Sequence, residues 1–315
     1  MGKIKVALLS GGRSSEREVS LASAHEVVAN LDADRYDVTS FDPEQNLSEL
    51  VNRHREFDLA FPVLHGPFGE DGTIQGMLEL LNLPYVGSGV MSSAMCMNKA
   101  VTKITYRAYG LPVAEDIIAQ NSEDPNSVAL KAEKALGLPA VVKPLNQGSS
   151  VGLTVAKTCG EIAAALKLAW RFGTRAMIEK YISGRELTCA IIGNSDSFAL
   201  PPIEIRPGAG HIFFDYAAKY EPGQALELCP APITKDQTQK IQDLSLAAHK
   251  ALFCRGVSRT DFILEKSGDF YLLETNTIPG LTSNSLLPRA AAAYGLCFSE
   301  LLDKLIDLAL ESQGQ

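Results

Sequence analysis

The sequence lacks several patterns that would place it in other protein classes. Its six cysteines are scattered and include no Cys-x-x-Cys pair, which excludes a disulfide framework or a thiolate zinc site. No apolar run approaches the roughly 18 residues of a membrane span. The apolar run at residues 6–9 is too short for a signal peptide and predicts a strand. We therefore expect a cytoplasmic protein without a membrane partner.

Excess positive charge is also missing. The formal net charge of -8 argues against nucleic acid or an anionic membrane as the main partner, so an anionic substrate would need a local group of Lys and Arg. The Walker A pattern occurs nowhere in the chain. The first turn, Gly-Gly-Arg-Ser-Ser (11–15), does not give the Gly-x-Gly-x-x-Gly pattern of an NAD oxidoreductase.

What is present is typical of a globular α/β protein. With 315 residues and 46% hydrophobic content the chain can bury a large core, and length alone suggests about two domains. Strand and helix signals predict a parallel α/β domain over 1–95, an α+β domain over 96–183 and a strand-rich domain over 184–315. The long irregular stretch at 206–232 is typical of a lid or binding loop.

The most informative segment is a predicted hairpin near the C-terminus. Ser267-Gly268 separates two apolar runs, and pairing around this turn sets Asp261 opposite Glu274 and Arg259 opposite Asn276. Strand residues two apart share a face, so all four side chains point the same way. Opposed carboxylates repel, and a hard cation such as Mg²⁺ between Asp261, Glu274 and Asn276 would remove the repulsion. An exposed polar strand face is the simpler alternative.

The first turn predicts a second functional carboxylate. Ser15 and Glu18 have capping-box spacing, whereas Glu16 has no such structural role. Glu16 follows a strand where α/β sheets open their ligand crevice, so it is a candidate for gripping a substrate ammonium. The alternative is a solvated acid in a first helical turn.

Other segments predict contacts to phosphate and base. Lys99, Lys143 and the Gly/Ser loop at 148–152, including Ser150, could cover a polyphosphate, although a flexible turn explains the loop equally well. The apolar strand at 178–182, followed by Glu186, suits a purine and its ribose, but also any edge strand. His65 lies in a strand-end loop, and the segment ending at Ser285 and Leu286 leads into a helix whose first amides could bind a carboxylate.

Taken together, these segments resemble the D-alanine–D-alanine ligase family of the ATP-grasp superfamily. The resemblance runs the whole chain, and the order and joint presence of its motifs make it specific. The motifs are Ser-Ser-Glu-Arg-Glu-Val-Ser (14–20), His-Gly-Pro-Phe-Gly-Glu-Asp-Gly (65–72), Gly-Ser-Gly (87–89), Val-Lys-Pro (142–144), Gly-Ser-Ser-Val-Gly (148–152), Asp-Tyr-Ala-Ala-Lys-Tyr (215–220), Arg-Thr-Asp-Phe (259–262) and Glu-Thr-Asn-Thr-Ile-Pro-Gly (274–280).

The resemblance implies an ATP-grasp fold of three α/β or α+β domains, with the nucleotide held between two antiparallel sheets. It implies roles for residues at the matching positions. Those for ATP are Lys99, Lys143, Ser150, Glu179, Tyr181, Ile182, Glu186 and Lys219. Those for the amino acids and their chemistry are Glu16, His65, Ser149, Tyr220, Arg259, Gly280, Ser285 and Leu286, while Asp261, Glu274 and Asn276 hold two Mg²⁺. Asn98 departs from the Asp that relatives often carry before the lysine.

The implied activity is ATP-dependent joining of two D-alanines through an acyl phosphate, in a cytoplasmic homodimer that supplies peptidoglycan precursors. The implied cofactors are ATP and two Mg²⁺, with Mn²⁺ as a substitute. Two alternatives stay open at this point. One is a related ligase that uses D-lactate, D-serine or another amino acid as second substrate, and the other is a non-catalytic nucleotide-binding protein.

Overall fold

The computed structural model describes residues 2–208 and 225–311. Within these ranges the strands are β1 (Ile4–Leu9), β2 (Tyr36–Phe41), β3 (Leu59–Pro62), β4 (Asp116–Gln120), β5 (Ala140–Pro144), β6 (Thr154–Ala156), β7 (Arg175–Lys180), β8 (Gly184–Ile192), β9 (Phe198–Ala199), β10 (Ile203–Pro207), β11 (Ala225–Leu228), β12 (Val257–Glu265) and β13 (Phe270–Asn276). The helices are α1 (Arg17–Asn30), α2 (Leu47–Arg53), α3 (Thr73–Leu80), α4 (Val90–Met97), α5 (Lys99–Ala108), α6 (Pro125–Leu136), α7 (Cys159–Ala169), α8 (Lys235–Ala251), α9 (Leu286–Tyr294) and α10 (Phe298–Glu311).

The N-terminal sheet is parallel, in the order β2-β1-β3. Its central strand is a nearly continuous apolar run whose last four residues are buried, as expected for a parallel strand covered on both faces. Val6 and Leu8 share one core with Ile192 of β8 and with Leu305 of α10. The first and last parts of the chain therefore pack together, and this fixes the crevice at the carboxyl end of β1.

The middle sheet is antiparallel, in the order β4-β7-β5-β6. Because strand side chains alternate, Val142 and Ile178 face a core shared with α6 and α7. Val141 and Lys143 face the other way, together with Glu179, which pairs with Val141 in the register. The polar face of this sheet is therefore the one turned away from its helices.

The C-terminal sheet is antiparallel, in the order β11-β10-β8-β12-β13, with β9 paired to β8. Phe262 and Leu272 are buried against α8, so Asp261 and Glu274 lie on the opposite face. The predicted pairs Asp261–Glu274 and Arg259–Asn276 are confirmed. The predicted two-residue turn, however, is wrong. Near the turn Leu264 pairs with Phe270, one residue away from the partner that such a turn would give it. A bulge between Asp261 and Phe262 shifts the pairing by one residue, so that Asp261 lies opposite Glu274.

The predicted capping box at the start of α1 is wrong. The helix begins at Arg17 with Glu16 as its N-cap, and no side-chain capping hydrogen bond is formed at this position. The entry to the helix is fixed by other contacts: the hydroxyl of Ser14 accepts from the Glu16 N–H at 3.1 Å, and Arg17 pairs with Asp42 at 2.5 Å. Glu16 is therefore at the tip of the turn, not in the first helical turn.

Other predicted elements are present with shifted bounds. Helix α3 covers Thr73–Leu80, whereas the sequence predicts helix only over 77–81, and α6 ends at Leu136 with Gly137 as its C-cap, within the predicted helix end at 133–137. The predicted lid at 206–232 falls largely outside the described residues, as do Lys219 and Tyr220, but its flanks form strands β10 and β11, which pair with each other. The domain boundaries near 95 and 183 stay predictions. No helix in ranges 2–208 and 225–311 is both long and apolar enough to cross a membrane.

Candidate active site

The polar faces of the middle and C-terminal sheets oppose each other across a groove, which we call the inter-sheet cleft. The predicted phosphate, base and metal residues meet on its walls, together with apolar side chains from both sheets. The lining includes Lys99, Val141, Lys143, Gln147, Ser150, Glu179, Tyr181, Ile182, Glu186, Asp261, Ile263, Leu273 and Glu274. A flat apolar ligand with a charged tail fits this pattern, since the walls are apolar and the charges lie at one place.

The two predicted phosphate lysines are held by carboxylates. Lys99 Nζ lies 3.0 Å from Glu274 Oε2 and donates to the carbonyl of Gln147 at 2.6 Å. Lys143 Nζ donates to Glu179 Oε2 at 2.7 Å. Asn98 caps α5 by accepting from the N–H groups of Ala100 and Val101 at 3.2 Å each, so the departure from Asp leaves the position of Lys99 intact.

A second cavity adjoins the cleft, and we call it the Glu16 cavity. The turn before α1, the loop after β3, the Gly/Ser loop and the segment after β13 all contribute to it. Its wall includes Glu16, Glu18, His65, Glu70, Gly148, Ser149, Glu227, Arg259, Glu274, Asn276, Gly280, Ser285 and Leu286. Glu274 lines both cavities, and the adjacent loop residues Ser149 and Ser150 line one each. The two cavities therefore meet at Glu274 and the Gly/Ser loop.

Glu16 is held tightly at the tip of its turn. It is buried, and the hydroxyl of Ser149 donates to its Oε1. A Cβ atom added at Gly66 would lie 2.9 Å from Glu16 Oε2, and one added at Gly148 would lie 3.2 Å away. The carboxylate therefore packs closely against the backbone at Gly66 and Gly148, and the positive φ of Gly66 (73°) also favours glycine there.

Arg259 and Asp261 form a buried two-point ion pair. Arg259 Nε and Nη2 donate to the two oxygens of Asp261 at 3.0 Å each, and Thr188 donates to Asp261 Oδ1 at 2.6 Å. Burial alone would lower the pKa of Arg259, but the charge of Asp261 outweighs it and raises the pKa above its ordinary value. Arg259 is therefore a fixed cation on the wall of the Glu16 cavity, and its partner Asp261 lines the inter-sheet cleft.

The predicted repulsion between Asp261 and Glu274, from which we inferred a metal ion, is wrong because each carboxylate is paired with a cation. Arg259 balances Asp261 and Lys99 balances Glu274, so the pair does not by itself require an ion. Within the described ranges no three His, Cys, Asp or Glu side chains converge as ligands. Two carboxylates and the amide of Asn276, 3.4 Å from Asp261 Oδ2, still form an all-oxygen donor set once the amide is turned, and this suits a hard cation that shares its shell with phosphate.

Ser285 lies at the far wall of the Glu16 cavity, as N-cap of α9. Its hydroxyl is 2.7 Å from the Thr282 hydroxyl and accepts from the Thr282 N–H at 3.1 Å. A Cβ at Gly280 would lie 2.8 Å from Ser285 Oγ. Gly280 therefore packs closely against Ser285, and this segment presents the start of α9 and Leu286 to the cavity.

The half-buried Glu70 and the buried His65 add two titratable groups to this cavity, and Glu70 is not among the predicted residues. Burial, and next the charge of Glu16, raise the pKa of Glu70 to about 8. Burial lowers the pKa of His65, whose Nε2 has no hydrogen-bond partner among the described residues. The signal for Glu70 was its place four residues after Gly66, whose N–H donates to Glu70 Oε2 at 2.7 Å across a tight turn.

Two antiparallel sheets that face each other across a cleft lined by lysines and carboxylates define an ATP-grasp protein. The family model described as D-ala D-ala ligase C-terminus matches residues 105–307, and the one described as D-ala D-ala ligase N-terminus matches 5–48 and 42–88. The chain belongs to the D-alanine–D-alanine ligase family.

Individual relatives agree over the whole length. The chain is 50% identical to a D-alanine–D-alanine ligase of Syntrophobacter fumaroxidans, covering 98% of each chain, and 48% identical to one of Desulfotalea psychrophila, covering 99% of this chain and 97% of the other. The fold is similar to a solved Bacillus anthracis D-alanine–D-alanine ligase in complex with ATP, with a TM-score of 0.85, 33% identity and 99% coverage of both chains. The Enterococcus faecalis VanG D-Ala:D-Ser ligase gives a TM-score of 0.86 at 33% identity, covering 98% and 99%.

Proposed function

We propose that this protein joins two D-alanine molecules at the expense of ATP, through an acyl phosphate. The observation that carries the proposal is the position of Glu274 on the shared wall of two cavities. One cavity has the lysines and apolar walls that a nucleotide needs, and the other has a fixed carboxylate for an ammonium. A phosphoryl group can therefore pass from one ligand to the other without crossing bulk water. The names of full-length relatives support the same activity.

In the inter-sheet cleft, ATP would lie with its base and ribose against Glu179, Tyr181, Ile182 and Glu186. Its phosphates would meet Lys99, Lys143 and the hydroxyl of Ser150, and we assign Lys219, outside the described residues, to the transferred phosphate. The lysines are already placed by Glu274 and Glu179, so little side-chain entropy is lost when phosphate replaces those partners.

The metal ligands would be Asp261, Glu274 and Asn276, holding two Mg²⁺ or, in substitution, Mn²⁺. Bound Mg²⁺ supplies positive charge to the phosphate oxygens as their charge changes. Mg²⁺ usually has few protein ligands when phosphate oxygens complete its coordination shell.

In the Glu16 cavity, the first D-alanine would bind by its ammonium to Glu16, with Ser149 and Tyr220 completing the polar contact and His65 close by. The second D-alanine would place its carboxylate at Ser285 and Leu286, where the first amides of α9 are unpaired within the helix. Arg259 and the Gly280 N–H would stabilise the oxygen that gains charge during the attack.

A carboxylate oxygen of the first D-alanine forms a bond to the γ-phosphorus of ATP, and ADP leaves. The free amine of the second D-alanine attacks the activated carbonyl carbon, a proton is released, and phosphate leaves with that carboxylate oxygen. Water must be kept out, because it would hydrolyse the acyl phosphate.

We further propose that the enzyme acts as a cytoplasmic homodimer and that its dipeptide feeds peptidoglycan synthesis. Both statements rest on the family resemblance. Sedimentation analysis of the purified protein tests the oligomeric state, and complementation of a bacterium depleted of D-alanyl-D-alanine tests the role in the cell wall.

The activity is tested by ATP-dependent phosphate release over D-alanine, D-serine, D-lactate and L-amino acids, with products read by mass spectrometry. We expect D-alanine alone to support release with D-alanyl-D-alanine as product. ATP binding without release for any acceptor would contradict the proposal and favour a non-catalytic nucleotide-binding protein.

The second substrate is tested by competition. By family resemblance, Tyr220 favours an amine nucleophile, because its hydroxyl can close onto Glu16 and Ser149, whereas relatives that use lactate differ at this position. With D-alanine and D-lactate at equal concentration at about pH 7, D-alanyl-D-alanine should dominate. Dominant depsipeptide would show the assignment of Tyr220 to be wrong, and dominant D-alanyl-D-serine in a parallel serine competition would favour the activity that VanG is named for.

A further inference from the structure

Lys103 is a fully buried lysine that lies behind the inter-sheet cleft without lining it. Its side chain has 0% exposure, on the face of α5 opposite to solvent. Nζ donates to the Ala114 carbonyl at 2.7 Å and to Glu179 Oε1, and it lies 3.1 Å from Asp116 Oδ1. These three acceptors match the three N–H groups of an ammonium. A buried lysine with full pairing is rare in proteins and needs an explanation.

Glu179 links Lys103 to the cleft. Its carboxylate is buried between two lysines, with Lys103 on Oε1 and Lys143 on Oε2. Burial alone would raise the pKa of Glu179, but the charges of Lys143 and Lys103 outweigh it and the pKa is lowered. The group is therefore a carboxylate, and a carboxylate can only accept hydrogen bonds.

The two lysines differ in what they can do when a ligand enters. Lys143 is on the cleft wall, and in the proposed function it turns to a phosphate. Lys103 has no access to the cleft and stays where it is. Glu179 then depends on Lys103, since removal of one partner from a buried ion pair leaves an uncompensated charge.

We propose that Lys103 is a positioning residue that sets the purine preference of the cleft, by holding the Glu179 carboxylate in place as an acceptor for the amino group of adenine. This rests on the proposed function in one respect, namely that ATP occupies the inter-sheet cleft. Adenine presents an amino donor at position six of the ring, whereas guanine presents a carbonyl oxygen there, which a fixed carboxylate repels. A site built around one hydrogen bond discriminates strongly against a ligand that cannot make it.

The test compares the binding of ATP and GTP to the full chain by calorimetry, with Mg²⁺ and without amino acid. In Lys103→Met the Kd for ATP should rise at least about tenfold while that for GTP changes less, because Glu179 takes up a proton or moves and then no longer rejects the guanine carbonyl. Lys103→Arg, which keeps the charge, should retain part of the preference for ATP.

Thr102→Val is the matched control for damage to the helix. Thr102 is buried next to Lys103 on α5, and the change removes a hydrogen bond from its hydroxyl to the Met95 carbonyl, 2.7 Å away, without touching Glu179. It should lower the melting temperature and leave the ratio of ATP to GTP affinity unchanged. If Lys103→Met lowers the melting temperature but keeps the wild-type ratio, Lys103 is only structural and the proposal is overturned.

A double variant keeps the test decisive if Lys103→Met alone does not fold, because Glu179→Gln removes the carboxylate that Lys103→Met leaves without its partner. In Glu179→Gln, adding Lys103→Met should not change the ATP-to-GTP ratio further, since Lys103 acts through Glu179. A further fall in the double variant would overturn the proposal, as would a wild-type protein that binds both nucleotides equally. A wild-type protein that prefers ATP but forms no dipeptide would contradict the proposed function alone.

Discussion

The inter-sheet cleft and the Glu16 cavity share Glu274 but balance their charges differently. In the cleft each of three acids has a cationic partner, with Lys99 on Glu274, Lys143 and Lys103 on Glu179, and Arg259 on Asp261. Among the described residues, the wall of the Glu16 cavity carries five carboxylates, those of Glu16, Glu18, Glu70, Glu227 and Glu274, and its guanidinium, Arg259, is already paired with Asp261.

This difference indicates which ligand charge each cavity favours. In the proposed function, phosphate displaces the carboxylates from the lysines of the cleft, so each lysine exchanges one anionic partner for another. The wall of the Glu16 cavity instead carries more carboxylates than cations, and burial, followed by the charge of Glu16, raises the pKa of Glu70. In the proposed function, the ammonium of an amino acid offsets this negative charge.

We expect the largest effect from a change at Glu274, the residue that both cavities share. Glu274→Gln removes one charge without changing size, so the fold should persist while turnover falls at least about 100-fold, because phosphoryl transfer depends on the charge at this point. The measurement is phosphate release at saturating Mg²⁺. Glu265→Gln, on the same hairpin but outside both cavities, is the control and should behave as wild type. Near-normal release by Glu274→Gln would remove Glu274 from the site.

The second change acts on the Glu16 cavity alone. Glu16→Ala removes a charge-assisted contact to an ammonium, which is worth about 1.5–3 kcal/mol, so the KM for the first D-alanine should rise by about 10- to 150-fold. The KM for ATP should change far less. Glu26→Ala, on the same helix and lining neither cavity, serves as control. Equal rises for both substrates would indicate a general defect of the fold.

The smallest expected effect is a difference in how the free energy of unfolding depends on pH. Because the pKa of Glu70 is raised from 4.5 to about 8, the folded state holds this proton more tightly than the unfolded state does. The resulting stabilisation is complete below about 4.5 and is lost as the pH rises through about 8. Between about pH 5 and pH 8 the free energy of unfolding should thus fall more in wild type than in Glu70→Gln, by on the order of 1 kcal/mol or more. Parallel pH profiles in urea denaturation would contradict the charge-crowding account.

The hairpin shows how far sequence could predict the site. Alternation and an assumed turn placed Asp261 opposite Glu274, and the structure has that pair, but only because a bulge offsets a turn one residue different. A bulge depends on packing of Phe262 and Leu272 against α8, which local sequence does not reveal. The turn before α1 is similar: the spacing of Ser15 and Glu18 predicted a capping box, whereas the turn is held by the Ser14 hydroxyl and by the pair of Arg17 with Asp42, which follows β2.

Buried partners were the least predictable part of the site. The resemblance gave Glu179 and Lys143, but Lys103 looked like any helix lysine, because its partners Ala114, Asp116 and Glu179 come from other elements of the chain. Glu70 was visible by its place four residues after Gly66, but its raised pKa comes from burial and next from the charge of Glu16, and both depend on elements distant in the sequence.

The central claim is that a phosphoryl group passes from the inter-sheet cleft to a carboxylate in the Glu16 cavity. The most direct measurement uses D-alanine labelled with ¹⁸O in its carboxyl group, with ATP and Mg²⁺, and reads the released phosphate by mass spectrometry. If the carboxylate attacks the γ-phosphorus and phosphate later leaves from the activated carbonyl, each phosphate formed with the dipeptide carries one ¹⁸O atom from D-alanine. Phosphate without label, formed in step with the dipeptide, would contradict the account.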